Sequence, residues 1–291
     1  MVSPLSYALV TPARDEARNL ARLARCVVAQ THRPSAWIVV DNGSRDGTLA
    51  TARQLAGEHG WIRVLAMPGE PIATRGAPVV RAFNAGLAAL GGAGEVVVKL
   101  DADVSFGPDY FERLLAEFAD DPRLGMASGN CFELRGDRWR RSPVTGTSVE
   151  GQCRAYRRTC LADVSPLEER MGWDGIDEMK ANSLGWRTHT FRELPFRHHR
   201  EVAARDASQI DAWIRQGVAN HYMGYRPSYA LLRALRHAGR QPAALALVWG
   251  YASAVLRRAP RCPDAGARNH MRRQQAWRHL ATRARESLEQ A

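Results

Sequence analysis

The sequence of 291 residues has only five cysteines, Cys26, Cys131, Cys153, Cys160 and Cys262, and no two of them form a CxxC pair. An odd number without that spacing argues against a zinc site or a disulfide framework and fits a reducing cytosol. No stretch reaches the roughly 18 uninterrupted apolar residues expected of a membrane span. The longest candidate, 242–256, is short for crossing a bilayer. The opening MVSPLSYALVTPARDE lacks the basic start and long apolar core of a secretory signal. Internal repeats and low-complexity tracts are absent. The expectation is a cytoplasmic chain, with contact at the inner face of the membrane as the alternative.

Acidic residues are outnumbered, and the net charge is +11. Arginine taking the place of lysine accounts for part of this. Attraction to phosphate, on a soluble substrate or an anionic membrane, is a second reading. The basic residues are scattered and accompany no nucleic-acid motif, so no nucleic acid is expected as partner. An apolar fraction of 45% and a charged fraction of 24% suit a globular chain with a substantial core.

Apolar runs dominate the first hundred residues. LSYALVT (5–11), AWIVVD (36–41), WIRVLAM (61–67) and EVVVKLDAD (95–103) read as strands. Helical spacing occupies 16–30, 48–59 and 79–90. Continuous apolar strands alternating with helices predict an α/β fold with a mostly parallel sheet covered on both faces. Further strands are expected near LGMASGNCFEL and GQCRAYRR, and a helix after Asp174. Beyond about 206 the chain reads as helical.

Ligands of such sheets sit beyond the carboxyl ends of the strands. Three polar clusters fall there: Thr11 to Glu16, Asp41 to Thr48, and Asp101 to Asp103. Asp101 and Asp103 follow four apolar residues and one lysine. Carboxylates suit hard cations such as Mg²⁺ or Mn²⁺. The same residues would also serve to end a strand and start a turn. In DNGSRDGT, Asn42-Gly43 and Asp46-Gly47 supply turn chemistry, and Asp41 can accept from a base ring NH. In TPARDE, Glu16 can accept from a ribose hydroxyl, while Asp15 would suit a helix cap.

Together these segments resemble the family-2 glycosyltransferases. TPARDEARNL is similar to their P-A-x-N/D-E opening. DNGSRDGT resembles D-D/N-G-S-x-D-G-T, GAPVVRAFNAGL resembles their G-x-x-x-A-x-N-x-G helix, and KLDAD carries D-x-D. The order and spacing agree over residues 7 to 103. The resemblance implies a GT-A fold (Rossmann-like, nucleotide-diphospho-sugar transferase), a nucleotide-diphosphate-sugar donor and a divalent metal. It implies that Pro12, Ala13, Arg14, Glu16 and Asp41 line the nucleotide, with Asn84 on the third helix. Lys99 and Asp101 would face ribose or diphosphate, and Asp103 would bind the metal with Asp101 beside it. Lys99 is a departure, because many members have a neutral residue there.

An inverting transferase needs a carboxylate to take the proton of the acceptor hydroxyl. GWDGIDEMKANSLGW is the richest candidate segment. Asp174 and Asp177, three apart, read as a capping box, with Gly185 just past the helix end. The family's segment is E-D-x-x-x-x-x-R-x-x-x-x-G. Counting back from Gly185 puts Lys180 on its Arg and Asp174 on its Asp, with Trp173 replacing the Glu. Asp174 is the preferred base; Asp177 and Glu178 are the alternatives. In FRHHREVAARD, His199 would complete the metal shell and Arg200 would grip diphosphate; a charged surface loop is the other reading.

The expected organisation is a catalytic domain over 1–205 and a helical appendage over 206–291. The appendage either packs against the catalytic domain or lies in a membrane interface. The expected reaction moves a sugar from a nucleotide diphosphate, a UDP-sugar by the family's commoner choice, to a saccharide or lipid-linked acceptor. Cell-surface polysaccharide or glycolipid synthesis is the expected setting. A nucleotidyltransferase is disfavoured by the lack of a glycine-rich basic loop near the N-terminus. A non-catalytic sugar-nucleotide-binding protein is disfavoured by the intact DAD and WDGID segments.

Overall fold

The computed structural model describes residues 5–69, 76–142, 148–199, 209–239 and 241–276. The chain divides into two compact units, Met1–Ala181 with Gly185–Arg200, and Asn182–Leu184 with Glu201–Ala291.

The first unit is built on a nine-stranded sheet. The four N-terminal strands are β1 (Tyr7–Ala13), β2 (Ala36–Asn42), β3 (Ile62–Met67) and β4 (Val96–Leu100). They lie parallel in the order β3-β2-β1-β4. Each crossover is helical: α1 (Ala17–Val28), α2 (Thr48–Glu58) and α3 (Ala77–Leu90). The apolar runs are continuous because alternate side chains enter two different cores. Leu9, Trp37, Val39 and Val98 join Leu20 and Leu23 of α1 on one face. Ala8, Val10, Ile38 and Val97 join Val80 and Phe83 of α3 on the other.

The second half of this unit breaks the parallel pattern. After β5 (Val104–Phe106) and α4 (Tyr110–Asp120) come β6 (Leu124–Arg135), β7 (Arg138–Arg141) and β8 (Cys153–Arg157). Strand β8 runs antiparallel to β4 and to β6. α5 (Arg158–Val164), α6 (Trp173–Ser183) and β9 (Arg187–His198) follow, and β9 lies parallel to β6 and antiparallel to β5. β9 occupies FRELPFRH, whose end reads as a charged loop from sequence.

The second unit contains α7 (Gln209–Tyr222), α8 (Pro227–Ala238), a 3-10 turn (Pro242–Leu245), α9 (Ala246–Leu256) and α10 (Ala265–Gln274). Its small core holds Ala230, Ala234, Leu247 and Tyr251, with Trp213, Tyr225 and Val248 packed on it. Asp264 caps α10 by accepting from the Ala267 N–H at 2.8 Å. Among the described residues no helix is long and apolar enough to cross a membrane.

Gly86 explains why α3 can lie so close to the strands that carry the polar clusters. A Cβ there would run into the side chains of Val10 and Val40. Gly86→Val is therefore expected to overpack the β1–β2 face and cost about 1–3 kcal/mol. A denaturant midpoint equal to that of the parent protein would show that α3 has room to move away.

Candidate active site

The carboxyl ends of β2, β1 and β4 lie side by side, with Ala13 opposite Asp41 and Val10 opposite Lys99. The first two polar clusters are bonded into one body. Asp15 Oδ1 accepts from Arg45 N–H at 2.7 Å, and Asp15 N–H donates to Ser44 Oγ at 3.0 Å. Glu16 N–H donates to Thr48 Oγ1 at 2.8 Å. Ala17 N–H, at the start of α1, donates to Asp46 Oδ2 at 3.1 Å. Asp15 is thus no cap of α1: it adopts φ 56° and reaches across to the other loop. The cap comes from Asp46, whose carboxyl lies below its ordinary range; burial would raise it, but hydrogen bonds from Thr48 and Ala17 outweigh this.

Asp41 is buried. Its Oδ2 accepts from Ser44 N–H at 3.3 Å, and its Oδ1 has no hydrogen-bond partner. Gly43, at φ 68°, allows the turn to pass against Gly69, where a Cβ would strike backbone. Pro12, Arg14 and Glu16 are half-buried around this turn and Ala13 is buried. Glu16 Oε2 accepts from Asn19 at 2.6 Å. Asn84 sits half-buried on α3.

Lys99 is buried at the end of β4. Its ammonium donates to Asp101 Oδ1 at 2.5 Å and to the Gly151 carbonyl at 2.9 Å. Asp101 N–H donates to the Gln152 carbonyl at 2.8 Å. The strip 148–152 is therefore held against the DAD turn. A Cβ on Gly151 would lie 3.2 Å from Asp174 Oδ2, so the Asp174 carboxylate stands directly beside this strip. The two departures from the family pattern meet here: the Lys99 ammonium lies 5.6 Å from the centroid of the Trp173 ring. Arg154 approaches the same ring at 5.9 Å.

The three candidate bases have different surroundings. Asp177 is buried; its Oδ1 accepts from Arg154 at 2.7 Å and its Oδ2 from the Tyr156 hydroxyl at 2.5 Å. It does not form the expected capping box, because both oxygens face β8. Glu178 Oε2 accepts from Val149 N–H at 3.1 Å and lies 3.8 Å from Arg154. Burial pushes its carboxyl up to about 7, against the pull of Arg154. Asp174 is half-buried, in the first turn of α6, and its Oδ1 accepts from Gly175 N–H at 3.1 Å.

Asp103 is buried, and the ring nearest its carboxylate is His198, with Nε2 at 3.3 Å from Oδ2. His198 Nδ1 faces Glu133 at 3.7 Å. Burial works against the imidazolium, but the hydrogen bonds it donates to Asp103 and Glu133 carry its pKa up to about 9. His199 meets Asp103 through its backbone, donating to the Asp103 carbonyl at 2.8 Å, while its ring bonds Ser105 at 2.7 Å. Arg200 lies outside the described residues. Among the described residues, Cys131, Glu133 and His198 also form a group able to hold a metal; sequence reading gave no such role to Cys131 or Glu133 and preferred His199 to its neighbour His198. The buried carboxylate of Asp103, with Asp101 two residues away, offers the hard oxygen donors that suit Mg²⁺ or Mn²⁺.

Comparison with known proteins follows this geometry. The family model described as Glycosyl transferase family 2 matches residues 8–165, just over half of the chain. An uncharacterized glycosyltransferase of Nostoc sp. (strain PCC 7120) is 34% identical over an alignment of 178 residues that covers 52% of this chain and 51% of that one. The chain thus spans about half the length of this curated relative. The mannosyltransferase PcManGT of Pyrobaculum calidifontis, solved with GDP-Man and Mn²⁺, superposes with a TM-score of 0.59 at 16% identity, covering 98% of this chain and 85% of that one. TarS 1-349 of S. aureus, solved with UDP-GlcNAc, gives 0.59 at 16% identity, covering 86% and 82%. These likenesses show the fold, which is GT-A.

Arg154 and Asp177 are an ion pair of two buried side chains. Asp177→Asn is expected to lower stability by about 3–5 kcal/mol, because it strands the guanidinium. Asp174→Asn should stay within about 1 kcal/mol of the parent. Denaturant unfolding of both variants checks this; equal midpoints would mean that Arg154 finds its charge balance elsewhere.

Proposed function

We propose, on the premise that this chain belongs to Glycosyl transferase family 2, that it moves a sugar from a nucleotide diphosphate to an acceptor hydroxyl with inversion. The observation that carries this reading is the link from the DAD turn to Asp174 through Lys99 and Gly151. It sets a half-exposed carboxylate beside the residues that would receive the donor's diphosphate.

In this reading the nucleotide base lies against Asp41, whose buried Oδ1 has no partner of its own. Glu16 takes a ribose hydroxyl, and Pro12, Ala13 and Arg14 shape the pocket. Asn84, Lys99 and Asp101 border the ribose and diphosphate, joined by Arg200. Asp103, with Asp101 and a histidine from the pair His198 and His199, would hold a divalent cation, whose chemistry when bound is to neutralise the departing diphosphate. Asp174 takes the proton of the acceptor hydroxyl. The acceptor oxygen bonds the anomeric carbon as the bond from that carbon to diphosphate breaks on the opposite side, and the nucleoside diphosphate leaves. Lys99 and Trp173 hold Asp101 and the start of α6 in register during this step.

A UDP-sugar is the proposed donor, and a saccharide or lipid-linked acceptor of cell-surface polysaccharide or glycolipid synthesis the proposed partner. Residues 1–205 would carry the reaction in the cytoplasm, with 206–291 as the helical appendage. The relatives with bound GDP-Man and UDP-GlcNAc support a nucleotide-sugar donor.

Two variants test the roles separately. Asp103→Ala is expected to remove the dependence of nucleotide binding on Mn²⁺ while the protein stays folded. Unchanged calorimetric titrations with and without Mn²⁺, matching the parent in each case, would withdraw Asp103 from the cation. Asp174→Asn is expected to bind donor normally and lose turnover by about 10² to 10⁴. Near-parental transfer by this variant, alongside a dead Glu178→Gln, would move the base to Glu178.

A further inference from the structure

The second unit leaves apolar side chains uncovered in an ordered way. Helix α9 crosses α7 at backbone distance, because both helices place glycine at the crossing. A Cβ on Gly217 would strike the Leu247 carbonyl, and one on Gly250 would strike that of Ile214. This contact fixes the rotation of α9, turning Leu247, Gly250, Tyr251 and Ala254 inward. Leu245, Trp249 and Leu256 are left on the opposite side, at spacings of four and seven. Trp249 is 63% exposed and Leu256 78%. Helix α8 repeats the pattern: Ala230 and Ala234 are inside, and Leu231, Leu232 and Leu235 are exposed.

The charge of this unit is predominantly positive. From 209 to 276 the sequence holds eleven arginines against two aspartates, with no glutamate. No charged residue falls between 242 and 256, and the stripe of α9 closes on the exposed pair Arg257 and Arg258. A Trp and leucines bordered by arginine match the boundary between acyl chains and anionic headgroups. A helix of this length is about 17 Å long. Leu245, Trp249 and Leu256 are few beside the roughly 20–30 residues that each partner gives to a standard protein interface.

We propose that the second unit docks on an anionic lipid surface through the exposed stripe of α9, with Trp249 and Leu256 entering the acyl boundary and Arg257 and Arg258 at the headgroups. The proposal stands on the exposed face alone and is independent of the reaction assigned to the first unit.

The experiment is co-sedimentation of the full chain with vesicles of phosphatidylglycerol and phosphatidylcholine, and with phosphatidylcholine alone. The parent should sediment with the anionic vesicles, less so as salt rises, and not with the neutral ones. Trp249→Ser combined with Leu256→Ser should weaken binding at least about tenfold, as should Arg257→Glu combined with Arg258→Glu. Thermal unfolding should stay at the parental midpoint, since these side chains are exposed. Equal sedimentation of parent and variants would overturn the proposal, as would equal binding to neutral vesicles. Failure to bind vesicles, together with a concentration-dependent dimer that Trp249→Ser and Leu256→Ser abolish, would overturn it and give the stripe to a second copy.

Discussion

A guanidinium removed from water needs an opposite charge and hydrogen-bond acceptors close by, and Arg154 is only 1% exposed. That requirement organises the centre of the first unit. Arg154 sits on β8 opposite Lys99 of β4. It donates to Asp177 and to the carbonyls of Asp174 and Val149. Burial works against its charge, yet Asp177 holds it firmly protonated. An uncompensated buried charge costs several kcal/mol, so α6 and the strip 148–152 cannot drift from the sheet without exposing one. The Asp174 carboxylate inherits its position from this constraint rather than from any bond of its own to the sheet.

The same logic explains the neighbouring lysine. A cation beside an aspartate that is itself close to another aspartate offsets their mutual repulsion, and the Gly151 carbonyl accepts a second hydrogen bond from the ammonium. The Trp173 ring lies near both Lys99 and Arg154, and an aromatic face attracts cations that repel one another. Substituting a ring for the acidic residue of the family pattern therefore accompanies the extra lysine in a single local arrangement. Neither departure is intelligible alone.

The parallel half of the sheet was readable because its central strands β1, β2 and β4 are buried on both faces, so the apolar run is unbroken from Val96 to Val98 and from Trp37 to Val40, whereas the edge strand β3 is only partly buried. The polar clusters could be placed at the strand ends for the same reason. Strand β9 carried no such signal. It alternates buried and exposed residues, includes Pro195, and shifts register against β6 between Gly129 and Asn130. Its partner strand lies some sixty residues away, beyond the reach of local pattern. Once the strand is known, its phase singles out His198, which shares the side of Leu194 and Phe196. The pair Asp174 and Asp177 shows the converse: a capping box and a buried ion pair have the same local spacing, and only a distant arginine distinguishes them.

The two loops that would enclose a nucleotide are not independent. Helix α1 has no cap from its own N-cap residue and takes one from Asp46 of the other loop, while Asp15 in turn holds the backbone of Arg45. Each loop supplies what the other lacks. As modules for exchange among homologous scaffolds, they consequently form a single cassette. Grafting residues 12–17 without 43–48 would carry away a helix start and leave its terminator behind. Inherited change in either loop is thereby tied to the other, and a shift in base preference would have to be written in both at once.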